Sequence, residues 1–127
     1  MVATVIRADA VRTSETPNAA MTTLASPSLG GTQALSMWKV VMRAGGEGPL
    51  HRFDSEQIWT VLSGSAMVDV DGERVGLDAG DTMRIPGGDL RLVTAQTDAV
   101  FLVCGYSGAR VSTPSGSHRD VTPPWIQ

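Results

Sequence analysis

Cysteine, histidine and aromatic residues are all scarce in this chain. Its 127 residues include one cysteine and two histidines, and aromatic residues make up 5%. The single Cys104 has no partner within the chain, which excludes an internal disulfide framework and fits a reducing, cytoplasmic compartment. Positive charge is short as well. Ten Lys and Arg stand against 13 Asp and Glu, a net charge of −3 with no basic run, so the electrostatic footprint of a nucleic-acid binder is missing. No apolar stretch approaches the roughly 20 residues of a membrane-spanning helix, and no membrane partner is expected. The start, Met1 to Asp9, shows no cationic leader followed by an apolar core, so no signal peptide is expected. A Gly-x-Ser-x-Gly elbow is lacking, which leaves a hydrolase triad without an anchor. The glycines at 45, 46 and 48 precede no helical pattern and do not resemble a phosphate-cradling loop.

What is present is β-structure. Hydrophobic residues make up 42% of the chain, enough for one domain to pack a core without disulfide or structural metal. Short β-branched runs separated by turn residues dominate over helical periodicity. Strands are expected at Val2–Ile6, Met21–Ala25, Ala34–Arg43, Gln57–Leu62, Ala66–Val70, Val75–Leu77, Thr82–Ile85, Leu90–Thr94 and Ala99–Gly105. Arg12–Asn18 reads as loop from its Ser, Pro and Asn content. The Asp71-Gly72 pair is the strongest hairpin signal, because such a pair supplies the positive backbone angles of a two-residue turn. Cys104, in Val-Phe-Leu-Val-Cys, reads as core packing. Many closely spaced strands without intervening helices argue for a sandwich or jelly roll. Trp125, near the end of a Ser-, Gly-, Pro- and Thr-rich tail, has too large a ring to stay in water and is expected to pack on the barrel or on another subunit.

Two motifs carry a family resemblance. Gly46-Glu-Gly-Pro-Leu-His51-Arg-Phe53-Asp-Ser-Glu-Gln57, continuing to Gly64, resembles the first signature of the cupins, small β-barrels that usually hold a metal. Gly80-Asp-Thr-Met-Arg-Ile-Pro86-Gly-Gly88, continuing to Arg91, resembles the second. The resemblance covers about residues 34–105. It implies an all-β fold, a single cupin β-barrel (a double-stranded β-helix or jelly roll). It divides the chain into an N-terminal arm with strands packing on the barrel or a partner (1–33), the barrel core (34–106) and a tail of the same domain (107–127). A homodimer is the assembly the resemblance implies.

The resemblance also locates a site. His51 and Gln57 stand at two of the family's metal-ligand positions, while Phe53 and Arg91 stand where histidines are usual. A phenyl ring and a guanidinium offer no lone pair to a metal, and a guanidinium would repel one. Glu56 and His118 do not match the ligand spacing, so no metal and no other cofactor is expected. Strand alternation places Trp59 and Val61 on the face of Gln57, and Val93 on that of Arg91. Glu56 then faces away, and Arg84, out of phase with Met83 and Ile85, is expected to be exposed. Trp38 and Met42 share a parity whose direction the sequence leaves open. The expected pocket is apolar and aromatic, with His51, Gln57 and Arg91 as its few polar groups.

Each group has two readings. His51 is a candidate general acid or base, or a histidine tied to the backbone. Arg91 stabilises an anion, or forms a surface ion pair with Asp89 or Glu56. Gln57 orients a ligand carbonyl or hydroxyl, or bonds across the barrel. Phe53, Trp59, Val61 and Val93 wall the pocket or fill the core. The leading expectation is a metal-independent enzyme acting on a small unsaturated, polyketide-like molecule by cyclisation, isomerisation or dehydration. The alternatives are a binding protein without chemistry and a metal-dependent oxygenase or lyase using His51 and Gln57.

Overall fold

The computed structural model describes residues 3–114 and 121–127. After one 3-10 turn at Ala8–Ala10, the described residues form eleven strands. They are β1 (Arg12–Glu15), β2 (Ala20–Ala25), β3 (Leu35–Met42), β4 (Arg52–Phe53), β5 (Gln57–Ser63) and β6 (Ser65–Val70). They continue with β7 (Glu73–Asp78), β8 (Thr82–Ile85), β9 (Arg91–Ala95), β10 (Ala99–Tyr106) and β11 (Val111–Ser112). A six-stranded sheet runs β1-β2-β3-β10-β5-β8, a three-stranded sheet runs β7-β6-β9, and β11 pairs with β4. Every named pairing is antiparallel.

Alternation along each strand supplies the core. Trp38, Val40 and Met42 of β3, Trp59 and Val61 of β5, and Phe101 and Val103 of β10 turn inward from the larger sheet. Ala66 and Val68 of β6, with Val93 and Ala95 of β9, turn inward from the smaller one. The result is the jelly roll that the strand spacing predicts. Trp59 and Phe101 meet edge to face with ring centroids 5.4 Å apart. Phe101 is fully buried, and burying a side chain of this kind stabilises by about 1.5–3 kcal/mol. Asp71 (φ 47°) and Gly72 (φ 86°) make the expected two-residue turn between β6 and β7.

Three expectations fail. Of the strand expected at Val2–Ile6, residue 2 lies outside the described residues and residues 3–6 are not a strand: a β-branched run is a strand only when a neighbour is free to pair, and no described strand does so here. Residues 12–15, read as loop, form β1, because the turn chemistry of Pro17 and Asn18 is confined to a short connection to β2. Thr16 closes that connection, its hydroxyl accepting from the amides of Asn18 and Ala19. Cys104 is half-buried rather than core, since Phe101 and Val103 own the inward parity of β10.

Met21–Ala25, Ala34–Arg43 and the later strands lie where expected to within a few residues. In the tail, Trp125 does pack against the barrel core, and Ile126 beside it is completely buried. Among the described residues no helix is long and apolar enough to cross a membrane.

Candidate functional site

The site is built where the chain between β3 and β4 crosses β9. His51 and Arg91 exchange backbone hydrogen bonds, His51 N to Arg91 O at 3.1 Å and Arg91 N to His51 O at 2.8 Å. Residues paired in this way project to the same face. Phe53, two residues after His51, follows it inward. Its ring meets the imidazole edge-on at 5.4 Å, and the Arg91 guanidinium carbon lies 5.3 Å from its centroid.

Gln57 opens β5 and is 1% exposed. Its Oε1 accepts two bonds, from Arg91 Nη1 at 3.0 Å and from Trp59 Nε1 at 3.2 Å. Both partners can only donate, which fixes the amide with oxygen toward them. Its Nε2, a donor, is buried without a partner among the described residues. Arg91 is 0% exposed and, among the described residues, faces no carboxylate at ion-pair distance. Its Nη2 reaches the Pro86 carbonyl at 3.5 Å and its Nε has no partner. Burial pushes the guanidinium down to about 10, with the charge of Asp89 pulling it back up, so it remains a cation at neutral pH. The reading of Arg91 as a surface ion pair is therefore wrong. Glu56 faces outward as expected and pairs with exposed Arg84 at 3.4 Å.

His51 is half-buried, and its Nδ1 lies 2.6 Å from the Pro49 carbonyl. A carbonyl only accepts, so Nδ1 carries the hydrogen and the lone pair of the neutral ring is on Nε2. Desolvation lowers the imidazole pKa, the Pro49 bond opposes that, and the Arg91 charge lowers it further. The backbone contact expected of a merely structural histidine is thus present, and it also fixes the tautomer.

His51, Phe53 and Gln57 border a cavity of about 420 Å3, lined also by Met21, Trp38, Val40, Met42, Trp59, Val93 and Trp125, with residues of the β1–β2 turn at its edge. All three tryptophans of the chain contribute to it. Of the expected site residues, His51, Phe53, Gln57, Trp59 and Val93 come together on its wall. Arg91 and Val61 do not reach it. Arg91 lies behind Gln57 and Phe53, and Val61 packs deeper among the core residues. The inward parity of Trp38 and Met42 is now settled, and both line the cavity. Sequence reasoning missed the contribution of the β1–β2 turn and of Pro123, which no local motif marks.

Among the described residues, no group of three or more His, Cys, Asp or Glu side chains stands together to hold a metal ion. His118 lies outside them.

Residues 38–104 match the family model described as "Cupin domain". Among solved structures, the chain is similar to an RmlC-like cupin from Shewanella frigidimarina, at 20% identity and a TM-score of 0.69, covering 80% of this chain and 88% of that one. It is also similar to salicylate 1,2-dioxygenase from Pseudoaminobacter salicylatoxidans, solved as an adduct with gentisate, at 20% identity and a TM-score of 0.70. That match covers 81% of this chain but only 31% of the dioxygenase. A conserved protein of unknown function from Streptococcus pyogenes matches at 23% identity and a TM-score of 0.60, covering 79% and 78% of the two chains. At these identities the likeness is one of fold. No curated protein matches the chain.

Proposed function

The chain belongs to the cupin family, and from that premise we propose a metal-independent enzyme that moves one proton on a small unsaturated, polyketide-like molecule. The observation that carries this reading is the pair of complementary groups on one apolar cavity: a neutral His51 with its lone pair on Nε2, and a Gln57 amide locked with its donor unpartnered. The imidazole takes a proton from an acidic C–H or O–H of the substrate. Negative charge then develops on a substrate oxygen that accepts from Gln57 Nε2. Arg91, donating to the other end of the same amide, stabilises that charge through Gln57 rather than by contact. Return of the proton to another carbon is isomerisation, and its delivery to a departing hydroxyl as water is dehydration. Attack of the carbanion on a second carbonyl is cyclisation. Trp38, Trp59 and Phe53 supply flat apolar walls for an unsaturated ligand.

The donor set does not fit a resident metal. One imidazole stands with an amide oxygen already accepting two bonds, a phenyl ring and a guanidinium. Ligation by Gln57 would forfeit both bonds and set the ion beside a fixed cation. This weighs against an oxygenase or lyase working through His51 and Gln57. A binding protein without chemistry uses the same cavity, and the gentisate adduct of the dioxygenase supports a small-molecule ligand under either reading.

The test is turnover of a panel of enolisable aromatic ketones and 1,3-dicarbonyls, followed by mass spectrometry with and without a chelator. Removing a general base costs about 10²–10⁴-fold, so His51→Ala is expected to lose that much while chelation changes nothing. Because the imidazole pKa is lowered, the active neutral form persists below about 6.5, and the acid limb of the rate profile should lie under that value. Fold stability follows the same sign, falling as pH drops below about 6.5, where the unfolded chain protonates first. Compounds bound and recovered unchanged by the parent chain would favour the binding protein.

A homodimer is proposed through the outer face of β3, β10 and β5. Leu35 and Tyr106 are paired there, Met37 and Ile58 flank Cys104, and Leu62 is exposed nearby. Lys39 is the one charged side chain on the outward parity of these three strands. Light scattering is expected to give twice the chain mass, and Ile58→Glu to halve it. A monomeric parent chain would remove the dimer.

A further inference from the structure

The segment Val121–Gln127 is fastened in an unusual way. Four consecutive main-chain oxygens each accept from a side chain of the N-terminal part of the fold. Arg12 Nη2 donates to Pro124 O at 2.8 Å and to Gln127 O at 3.1 Å. Thr23 Oγ1 donates to Trp125 O at 2.7 Å. Ser36 Oγ donates to Ile126 O, and Ser28 Oγ to Gln127 O. Arg12 Nη1 also holds Ser28 Oγ at 2.8 Å, and Arg12 is the register partner of Thr23 across β1 and β2. Thr23 and Ser36 are completely buried.

A strand paired in a sheet spreads its position over a ladder of backbone bonds. Here side chains alone fix the four oxygens, with Ile126 buried as the apolar anchor. Trp125, beside that anchor, is only half-buried and faces the cavity together with Trp38 and Trp59. Arg12 begins the hairpin whose turn, Thr16 to Ala19, lines the same cavity. The fastening therefore ties two walls of the cavity to each other. None of Arg12, Thr23, Ser28 and Ser36 lines it, so they act only through what they hold.

We propose that Trp125 is a ligand-contacting, specificity-determining residue of the site, and that Arg12 is its positioning residue. The proposal rests on the reading of the cavity as a small-molecule site and adds to it a preference. The indole face selects flat, unsaturated ring systems over saturated rings of the same size, because a π-face rewards stacking that a puckered ring cannot make. Packing alone would ask nothing of ligand planarity.

Isothermal titration calorimetry with 2-naphthol and its saturated counterpart decahydro-2-naphthol tests this. The parent chain is expected to prefer 2-naphthol. Trp125→Leu should weaken 2-naphthol about five- to tenfold, in line with an aromatic pair, and change the saturated alcohol by less than about twofold. Arg12→Ala should shift both in the same directions by a smaller factor. It should also raise the acrylamide-accessible share of indole emission, a rise that Arg12→Ala/Trp125→Leu does not show. Equal weakening of both alcohols, or of neither, overturns the proposal. If Trp125→Leu does not fold, an Arg12→Ala chain with the full preference for 2-naphthol overturns it instead. A parent chain that binds neither alcohol removes the cavity reading together with the proposal, whereas loss of the His51 effect removes the catalytic reading and leaves Trp125 in place.

Discussion

Arg91→Met is expected to lose about 10²–10³-fold in turnover while folding as stably as the parent, within about 1 kcal/mol, or more so. The two halves of that result have separate causes. A guanidinium that is 0% exposed carries a desolvation cost that a carboxylate normally offsets, and among the described residues none lies within ion-pair distance. Asp89, whose charge favours the cation, is half-buried and lies beyond ion-pair distance, which leaves it a weak partner. The cation lies over Phe53 and donates to Gln57 Oε1, but its Nε is unpartnered. Methionine keeps the length of the side chain and a soft sulfur over the Phe53 ring. Gln57 Oε1 retains the Trp59 bond, so no charged group is orphaned. The fold then loses two hydrogen bonds, to Gln57 Oε1 and to the Pro86 carbonyl, and a cation–π contact, and is relieved of a buried charge. Turnover has no such replacement, since no side chain of the cavity wall carries a fixed positive charge and Arg91 is the cation behind Gln57. Paired measurements of thermal unfolding and of rate per folded molecule read both halves. A variant clearly less stable but fully active would make Arg91 a structural residue.

That imbalance explains why the site was only partly legible. The positions of His51, Gln57 and Arg91 could be read from motif spacing, and alternation then placed Trp59 and Val93 correctly. Burial of Arg91 could not be read, because charged side chains are rarely fully buried, and its shelter comes from Phe53 and Gln57 on other strands. Its exclusion from the cavity wall follows from that same shelter. The β1 strand was hidden by Pro17 and Asn18, whose turn signal is real but stops at Thr16. Cys104 misled because β10 is apolar on both faces, and in such a strand parity cannot be told from composition. The hairpin at Asp71-Gly72 was legible because two adjacent residues determine it. Trp125 was expected to pack, but its second role needed Arg12, Ser28 and Ser36 to be brought to it from about a hundred residues away in sequence.

The second large effect lies at the far end of the barrel, where Gly64→Ala is expected to destabilise by about 2–5 kcal/mol. Gly64 joins β5 to β6 with φ of 81°, a conformation that costs any side chain roughly 1 kcal/mol. The surroundings add the larger share. A Cβ at this position would overlap the Asp98 carbonyl oxygen and stand 2.7 Å from Thr97 Oγ1 and 3.0 Å from the Ala99 Cα. Those atoms belong to the turn between β9 and β10 and to the first residue of β10, and the turn is fixed on both sides. Asp98 Oδ1 accepts from the Ala44 amide at 2.9 Å, and Thr97 Oγ1 accepts from the Ser65 amide at 3.0 Å. Backbone so held cannot withdraw without breaking the bonds to Ala44 and Ser65. Gly72→Ala is the control, since Gly72 has nearly the same φ, 86°, and nothing within 4 Å of the added carbon. It should cost only the conformational share, about 1 kcal/mol. Chemical denaturation of the two variants reads the difference as the steric part alone. Neither glycine approaches the cavity, so the rate per folded molecule should be unchanged in both. Equal midpoints for the two variants would mean that the two turns separate freely, and that the closed end of the barrel is looser than its hydrogen bonds imply.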